Sequence, residues 1–245
     1  MEKLIRAFLK FICYPIKYKS DKDGYLAKEY WDDRYKKYGV GYRASGDEGI
    51  SEEKNSHQYT IDVGKLRKIL SIEKKEIKGD VLEIGFGSGV YTELCRISDI
   101  TNYMGVEISE EAFYKMQAKY LDDDRLTFMG GDATKMIFPE NTFDIVICID
   151  VMNHVVKKEN LKKLIKNLTK SLRNNGYLIL SPVSLSGEDK SHWFYNKTWS
   201  YNTIYDMIEV DCDIDTYQFR YSNMILVTRK DKDGKDLQKN TSEHA

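Results

Sequence analysis

The chain has 245 residues, 41% hydrophobic and 31% charged, enough for one large domain with a sizeable core. A formal net charge of −1 leaves no global field to draw it to nucleic acid or to an anionic membrane. The cysteines (Cys13, Cys95, Cys148, Cys212) and the four histidines are scattered, without a CxxC pair or metal-ligand spacing; this argues against a zinc site or disulfide framework and fits a reducing cytoplasm.

Residues 1–19, "MEKLIRAFLKFICYPIKYK", carry an apolar stripe (Leu4, Ile5, Phe8, Leu9, Phe11, Ile12) opposite Lys3, Arg6 and Lys10. The two interior cations break any signal-peptide core, so the segment reads as a helix packed on its own domain, with weak membrane-surface contact as the alternative. No apolar run approaches the ~20 residues of a membrane span. A helix is expected over 25–37 and a glycine-punctuated loop over 39–49. Val63, Leu66, Ile69 and Leu70 give helical spacing over 59–78. Strand and helix signals then alternate: strand 80–85, helix 88–98, strand 102–107, and a helix capped by Ser109 with Glu110 and Glu111 in its first turn. A strand over 125–130 follows, then the continuous apolar run "FDIVICID" over 143–150, typical of a strand buried on both faces. The next helix puts Leu161, Leu164, Ile165, Leu168 and Leu172 on one stripe and is expected to end at "RNNG", with Gly176 after it. The strand "YLILS", a helix near 199–209 and strands about 213–220 and 223–229 complete the pattern. Residues 230–245 are charged and nearly devoid of apolar residues, as in a disordered tail. The expected organisation is therefore a helical and loop extension over 1–58 covering the site, a domain over 59–229 and a tail over 230–245.

This alternation means a mostly parallel α/β sheet with helices on both faces, and such sheets bind ligands at the carboxyl ends of their strands. The stretch "GDVLEIGFGSGVYTEL" (79–94) marks that edge. Gly85, Gly87 and Gly89 permit a sharp turn and close approach of a ligand, ahead of a helix N-terminus. The spacing is GxGxG, with Val90 where the dinucleotide fingerprint has its third glycine. Glu83, alone among Val81, Leu82 and Ile84, is costly unless paired, and would repel a diphosphate but suit a ligand carrying an ammonium group. These two details argue against a nicotinamide cofactor. Glu107 ends the second strand, placed for a ribose diol, and Asp132 ends the third, placed for an exocyclic amine.

The segments "VLEIGFGSG", "GVEIS", "GDAT", "FDIVICIDVMNHV" and "LRNNGYLILS", in this order and spacing, resemble the class I S-adenosylmethionine-dependent methyltransferases over roughly residues 60–182. The resemblance implies a Rossmann-like, seven-stranded, mostly parallel sheet with an antiparallel last strand, under an N-terminal helical cover. It further implies that Glu83, Gly85, Gly87 and Gly89 hold the methionine end of S-adenosyl-L-methionine. Glu107 would bind the ribose, with Ile108 flanking the adenine; Asp132 and Ala133 would read the adenine; Asp150 and Val151 would lie beside the methionine portion and the transferable methyl. Phe86 departs from the small residue or cysteine usual in the family, a change expected to alter packing more than chemistry. His154, just past the fourth strand, is the candidate base, with packing or capping of the next helix as its other reading; His192, among aromatics in "EDKSHWFYNKTW", is a second candidate. There is no (D/N)PP(Y/F) motif after that strand, no Pro-Cys pair and no basic aromatic patch, which disfavours nucleic-acid acceptors. The expected function is O-methylation of a small molecule or glycan. The alternatives are an RNA or protein methyltransferase, or a catalytically inactive protein that still binds S-adenosylmethionine.

Overall fold

The computed structural model describes residues 12–231. From residue 232 on, the tail expected over 230–245 lies outside the described residues, as do residues 1–11 of the amphipathic N-terminal segment.

Two short strands, β1 (Lys19–Ser20) and β2 (Gly24–Tyr25), form a hairpin, followed by helices α1 (Ala27–Tyr38), α2 (Tyr42–Ser45) and α3 (Glu52–Ile72). The alternating part comprises β3 (Lys78–Ile84), α4 (Val90–Arg96), β4 (Asp99–Glu107), α5 (Glu110–Lys119), β5 (Leu126–Gly130), β6 (Phe143–Ile149), a 3₁₀ turn (Met152–His154), α6 (Lys158–Ser171) and β7 (Leu172–Ser184). A hairpin of β8 (Lys190–Trp193) and β9 (Asn196–Ser200), helix α7 (Tyr201–Tyr205), β10 (Cys212–Phe219) and β11 (Ser222–Arg229) complete it. The sheet order is β10-β11-β7-β6-β3-β4-β5, with β9 appended to β7 and β8 to β9. β3 to β7 pair in parallel, and β11 lies antiparallel to both β7 and β10. This is the Rossmann-like sheet the sequence led us to expect.

Successive strand residues point to opposite faces. Val81, Ile145 and Ile147 therefore pack under α3 and α4 with Leu66, Leu70 and Leu94, while Leu82, Val146 and Leu178 pack under α6 with Leu161, Leu164 and Leu168. Both faces being covered explains the unbroken apolar run in β6. Several boundaries differ from expectation. α3 starts at Glu52, not near 59, because Ser51 caps it by accepting from the Lys54 amide, and its first two turns are polar. The expected loop over 39–49 contains α2. α6 stops at Ser171: Leu172 already pairs with Phe143 and Tyr177 with Ile145, so "RNNG" bulges out of β7, with Asn175 at φ 63°. The segment after β7 forms a hairpin, and α7 is five residues long, not a helix over 199–209, because residues 196–200 belong to β9.

The N-terminal helices are tied to the sheet's binding edge. Asp32 of α1 accepts from the Ser109 hydroxyl and the Glu110 amide, both at 2.8 Å, and so supplements Ser109 as a cap on α5. Ser45 of α2 bonds Ser88 at 2.8 Å. Asp32→Ala should lower the melting temperature by about 2–4 °C, since a lost cap costs ~1 kcal/mol in a chain of this size. An unchanged melting temperature would show that Ser109 satisfies the helix end alone.

Candidate active site

At the carboxyl ends of β3, β4, β5 and β6 lies a half-open cavity whose empty space, including the part open to solvent, is about 1060 Å³. Gly85, Gly87, Glu107, Ile108, Asp132, Ala133, Asp150, Val151 and His154 all line it. Glu83, Gly89 and His192 do not.

The glycine loop is held tightly. Gly85 has φ 69°, and a Cβ there would lie 2.3 Å from Val151 Cγ2. Gly87 has φ 52°, and a Cβ there would lie 2.9 Å from the Tyr35 hydroxyl. The loop hands over to the acid at the end of β4: the Gly87 amide donates to Glu107 Oε2 and the Ser109 amide to Oε1, both at 3.0 Å. Glu107 is 5% exposed, and burial raises its pKa against those amides. Each oxygen keeps a second lone pair for a ligand hydroxyl. Asp132 Oδ1 accepts from the Thr134 amide and hydroxyl, at 3.0 and 2.7 Å, while Lys135 sits 2.9 Å from Oδ2. Phe86, buried edge-on against Phe128, fits because Gly105 on β4 leaves it room: a Cβ there would lie 2.7 Å from its ring.

Two of the expected methionine-end residues lie elsewhere. Glu83 is buried beneath the loop, where Oε2 accepts from Tyr103 at 2.6 Å and Thr92 at 2.9 Å. Burial pushes its pKa up to about 7, despite both donors. Its costly position is thus answered by two hydroxyls that join β3, β4 and α4, and not by the cavity. Gly89 turns at φ 81° into α4 with Met116 where a Cβ would go.

His154 stands at the cavity wall. Its Nδ1 is 3.0 Å from the Tyr195 carbonyl, which can only accept, so Nδ1 carries the proton and Nε2 the lone pair. Trp31 meets the ring edge-on at 5.0 Å and Tyr195 stacks at 5.9 Å. Burial lowers the pKa to about 4, so the ring is neutral near pH 7. His192 is exposed on β8, bonds Thr198 at 2.8 Å and is not among the lining residues.

Further residues line the cavity. Trp31, Tyr35 and Tyr59 come from the N-terminal helices, Tyr91 from α4, and Asp23 and Tyr25 from the first hairpin. Arg220, in the β10–β11 turn at φ 53°, reaches back to pair with both Asp62 of α3 and Asp150. The abundance of tyrosine was the one visible signal; nothing local to "FRYS" marked Arg220.

Residues 82–180 match the family model described as a methyltransferase domain. Over that segment the chain is similar to the class I S-adenosylmethionine-dependent methyltransferases. It is 32% identical over 118 residues to nodulation protein S of Azorhizobium caulinodans, covering 47% of this chain and 55% of that relative. It thus spans only about half of the relative's length. Among solved structures, an S-adenosylmethionine-dependent methyltransferase of Leishmania major superposes with a TM-score of 0.63 at 16% identity, covering 83% of this chain and 81% of that one. The N-methyltransferase NodS of Bradyrhizobium japonicum, in complex with S-adenosyl-L-homocysteine, superposes with 0.54 at 15% identity, covering 72% and 87%. At these identities the two structures attest the methyltransferase fold, which the sheet order above shows independently.

Proposed function

We propose that the protein transfers the methyl group of S-adenosylmethionine to the hydroxyl of a small molecule or glycan. The observation that carries this reading is one cavity lined by the left-handed glycine loop, by Glu107 and Asp132, and by a neutral His154. The residues present suit the cofactor: Cβ-free backbone at Gly85 and Gly87, a carboxylate fixed by two amides for the ribose, and Asp132 with Ala133 for the adenine. When bound, S-adenosylmethionine supplies an electrophilic methyl and a neutral leaving group. What the chain contributes is largely positioning, which can supply about 7–11 kcal/mol, together with an acceptor for the proton that leaves the hydroxyl, His154 Nε2. Residues 25–58 act as a cover that excludes water from this edge.

The charged side chains lining the cavity are all carboxylates (Asp23, Glu107, Asp132 and Asp150). That favours a second reading in which the acceptor is an amine. Incubation with methyl-labelled S-adenosylmethionine and panels of hydroxylated small molecules, glycans, amines, RNA and protein separates the readings. We expect label in the hydroxyl or glycan panel; label confined to RNA or protein would overturn the acceptor class.

Glu107→Ala should weaken S-adenosylhomocysteine binding about 5- to 150-fold, because it leaves two buried amides and the ribose hydroxyls without an acceptor, at ~1–3 kcal/mol. Glu107→Gln leaves only one amide facing a donor and should cost less. Calorimetric titration checks both; equal affinity of the wild type and the alanine variant would remove Glu107 from the site.

A further inference from the structure

The turn after β10 brings Arg220 into a buried group that the reading above leaves unexplained. Its Nη1 pairs with Asp150 Oδ2 and its Nε with Asp62 Oδ2, while Nη2 is buried with no partner among the described residues. The Tyr91 hydroxyl is a second buried donor without a partner, on a residue 6% exposed that lines the cavity. Tyr91 feels the charges of Arg220, Asp150 and Asp62, and the Arg220 guanidinium lies 5.1 Å from the ring of Tyr59, also a lining residue. Asp150, held at φ 60° with its amide donating to the Ser181 carbonyl at 2.8 Å, engages Arg220 through Oδ2.

Two unspent donors call for an acceptor, since a buried N–H or O–H without one is costly. The group Asp62–Arg220–Asp150 nevertheless carries a net charge of −1, so a simple anion is repelled. A zwitterion meets both conditions: its carboxylate takes Arg220 Nη2 and Tyr91 Oη, and its ammonium takes the Asp150 carboxylate. We infer that Arg220, Tyr91 and Asp150 form the subsite for an α-amino-acid group, and that this subsite, not Glu83, receives the methionine end of the cofactor. The inference rests on the cofactor reading above and adds Arg220 and Tyr91, which no sequence motif marked, to Asp150.

The test compares two ligands on the full chain by calorimetry. S-adenosylhomocysteine carries the α-amino-acid group; 5′-methylthioadenosine has the same nucleoside without it. The wild type should bind the former at least about 100-fold more tightly. Tyr91→Phe, which keeps the ring, should reduce that ratio about tenfold or more, and Arg220→Met should reduce it to within about tenfold of unity, with methylthioadenosine affinity held within threefold in both. Should Arg220→Met fail to fold because Asp62 loses its partner, Asp62→Asn with Arg220→Met removes the stranded charge, and Tyr91→Phe decides in any case. An unchanged ratio in Tyr91→Phe and in an arginine variant that binds methylthioadenosine normally would overturn the subsite. A wild type that binds neither ligand would instead overturn the cofactor reading.

Discussion

Gly87→Val should abolish S-adenosylhomocysteine binding to the extent calorimetry can follow, a loss of at least about 100-fold. A β-branched residue at φ 52° is strained, and its Cβ would press on the Tyr35 hydroxyl at 2.9 Å and on Ser45 Cβ at 3.2 Å. The Gly87 amide also fixes Glu107, so displacing the loop moves the ribose acid with it. Far-UV circular dichroism should be unchanged, because the core on both sheet faces lies away from the loop. Gly187→Val is the control: it has φ 81° but open space around it, so it isolates backbone strain from steric intrusion. Binding by Gly87→Val within threefold of wild type would remove the glycine loop from the cofactor site.

His154→Ala should lower turnover about 100-fold while leaving S-adenosylhomocysteine affinity within threefold. The pH dependence sharpens the expectation. With its pKa depressed to about 4, His154 stays neutral from pH 8 to 5, so kcat/KM should be flat there, with the acidic limb near 4 and absent in the variant. A limb near 6.5 would mean that the ring is solvated in solution. The same depression makes a stability statement. The neutral ring's contribution is full above 6.5 and is lost as pH falls toward 4, because the unfolded chain takes up the proton first. Glu83 acts in the opposite sense: its raised pKa contributes stability below the ordinary carboxylate range that is lost as pH rises through about 7. A normal single-turnover rate in His154→Ala, with a lowered melting temperature, would reduce His154 to a packing residue of the Trp31 and Tyr195 cluster.

The sheet was legible because its evidence is local. Buried parallel strands read as apolar runs, and α6 displays its stripe plainly. The same locality misled at "RNNG", where a glycine after a helical stripe resembles a cap, but the pairing of Leu172 with Phe143 begins the strand first. The cavity was half legible. Glu107 and Asp132 end strands, and strand ends are predictable; Arg220 and Asp62 are far apart in sequence and meet only through tertiary packing, which no spacing reports. Glu83 was correctly seen as needing partners, but a carboxylate buried among strands can turn to hydroxyls beneath the sheet as readily as to a ligand above it. The sequence carried no sign that Tyr103 and Thr92 would claim it.

The position of β11 has a consequence for synthesis. β11, the last strand among the described residues, occupies the interior of the sheet, between β7 and β10. Until residues 222–229 leave the ribosome, the edge of β7 at Leu178–Leu180 has no neighbour on that side, and translation of the intervening segment takes several seconds at ~5–20 residues per second. An apolar strand edge open for that long is a template for pairing with other nascent chains. Arg220 arrives with the same hairpin, so the step that closes the vulnerable edge also brings Asp62 and Asp150 their shared cation.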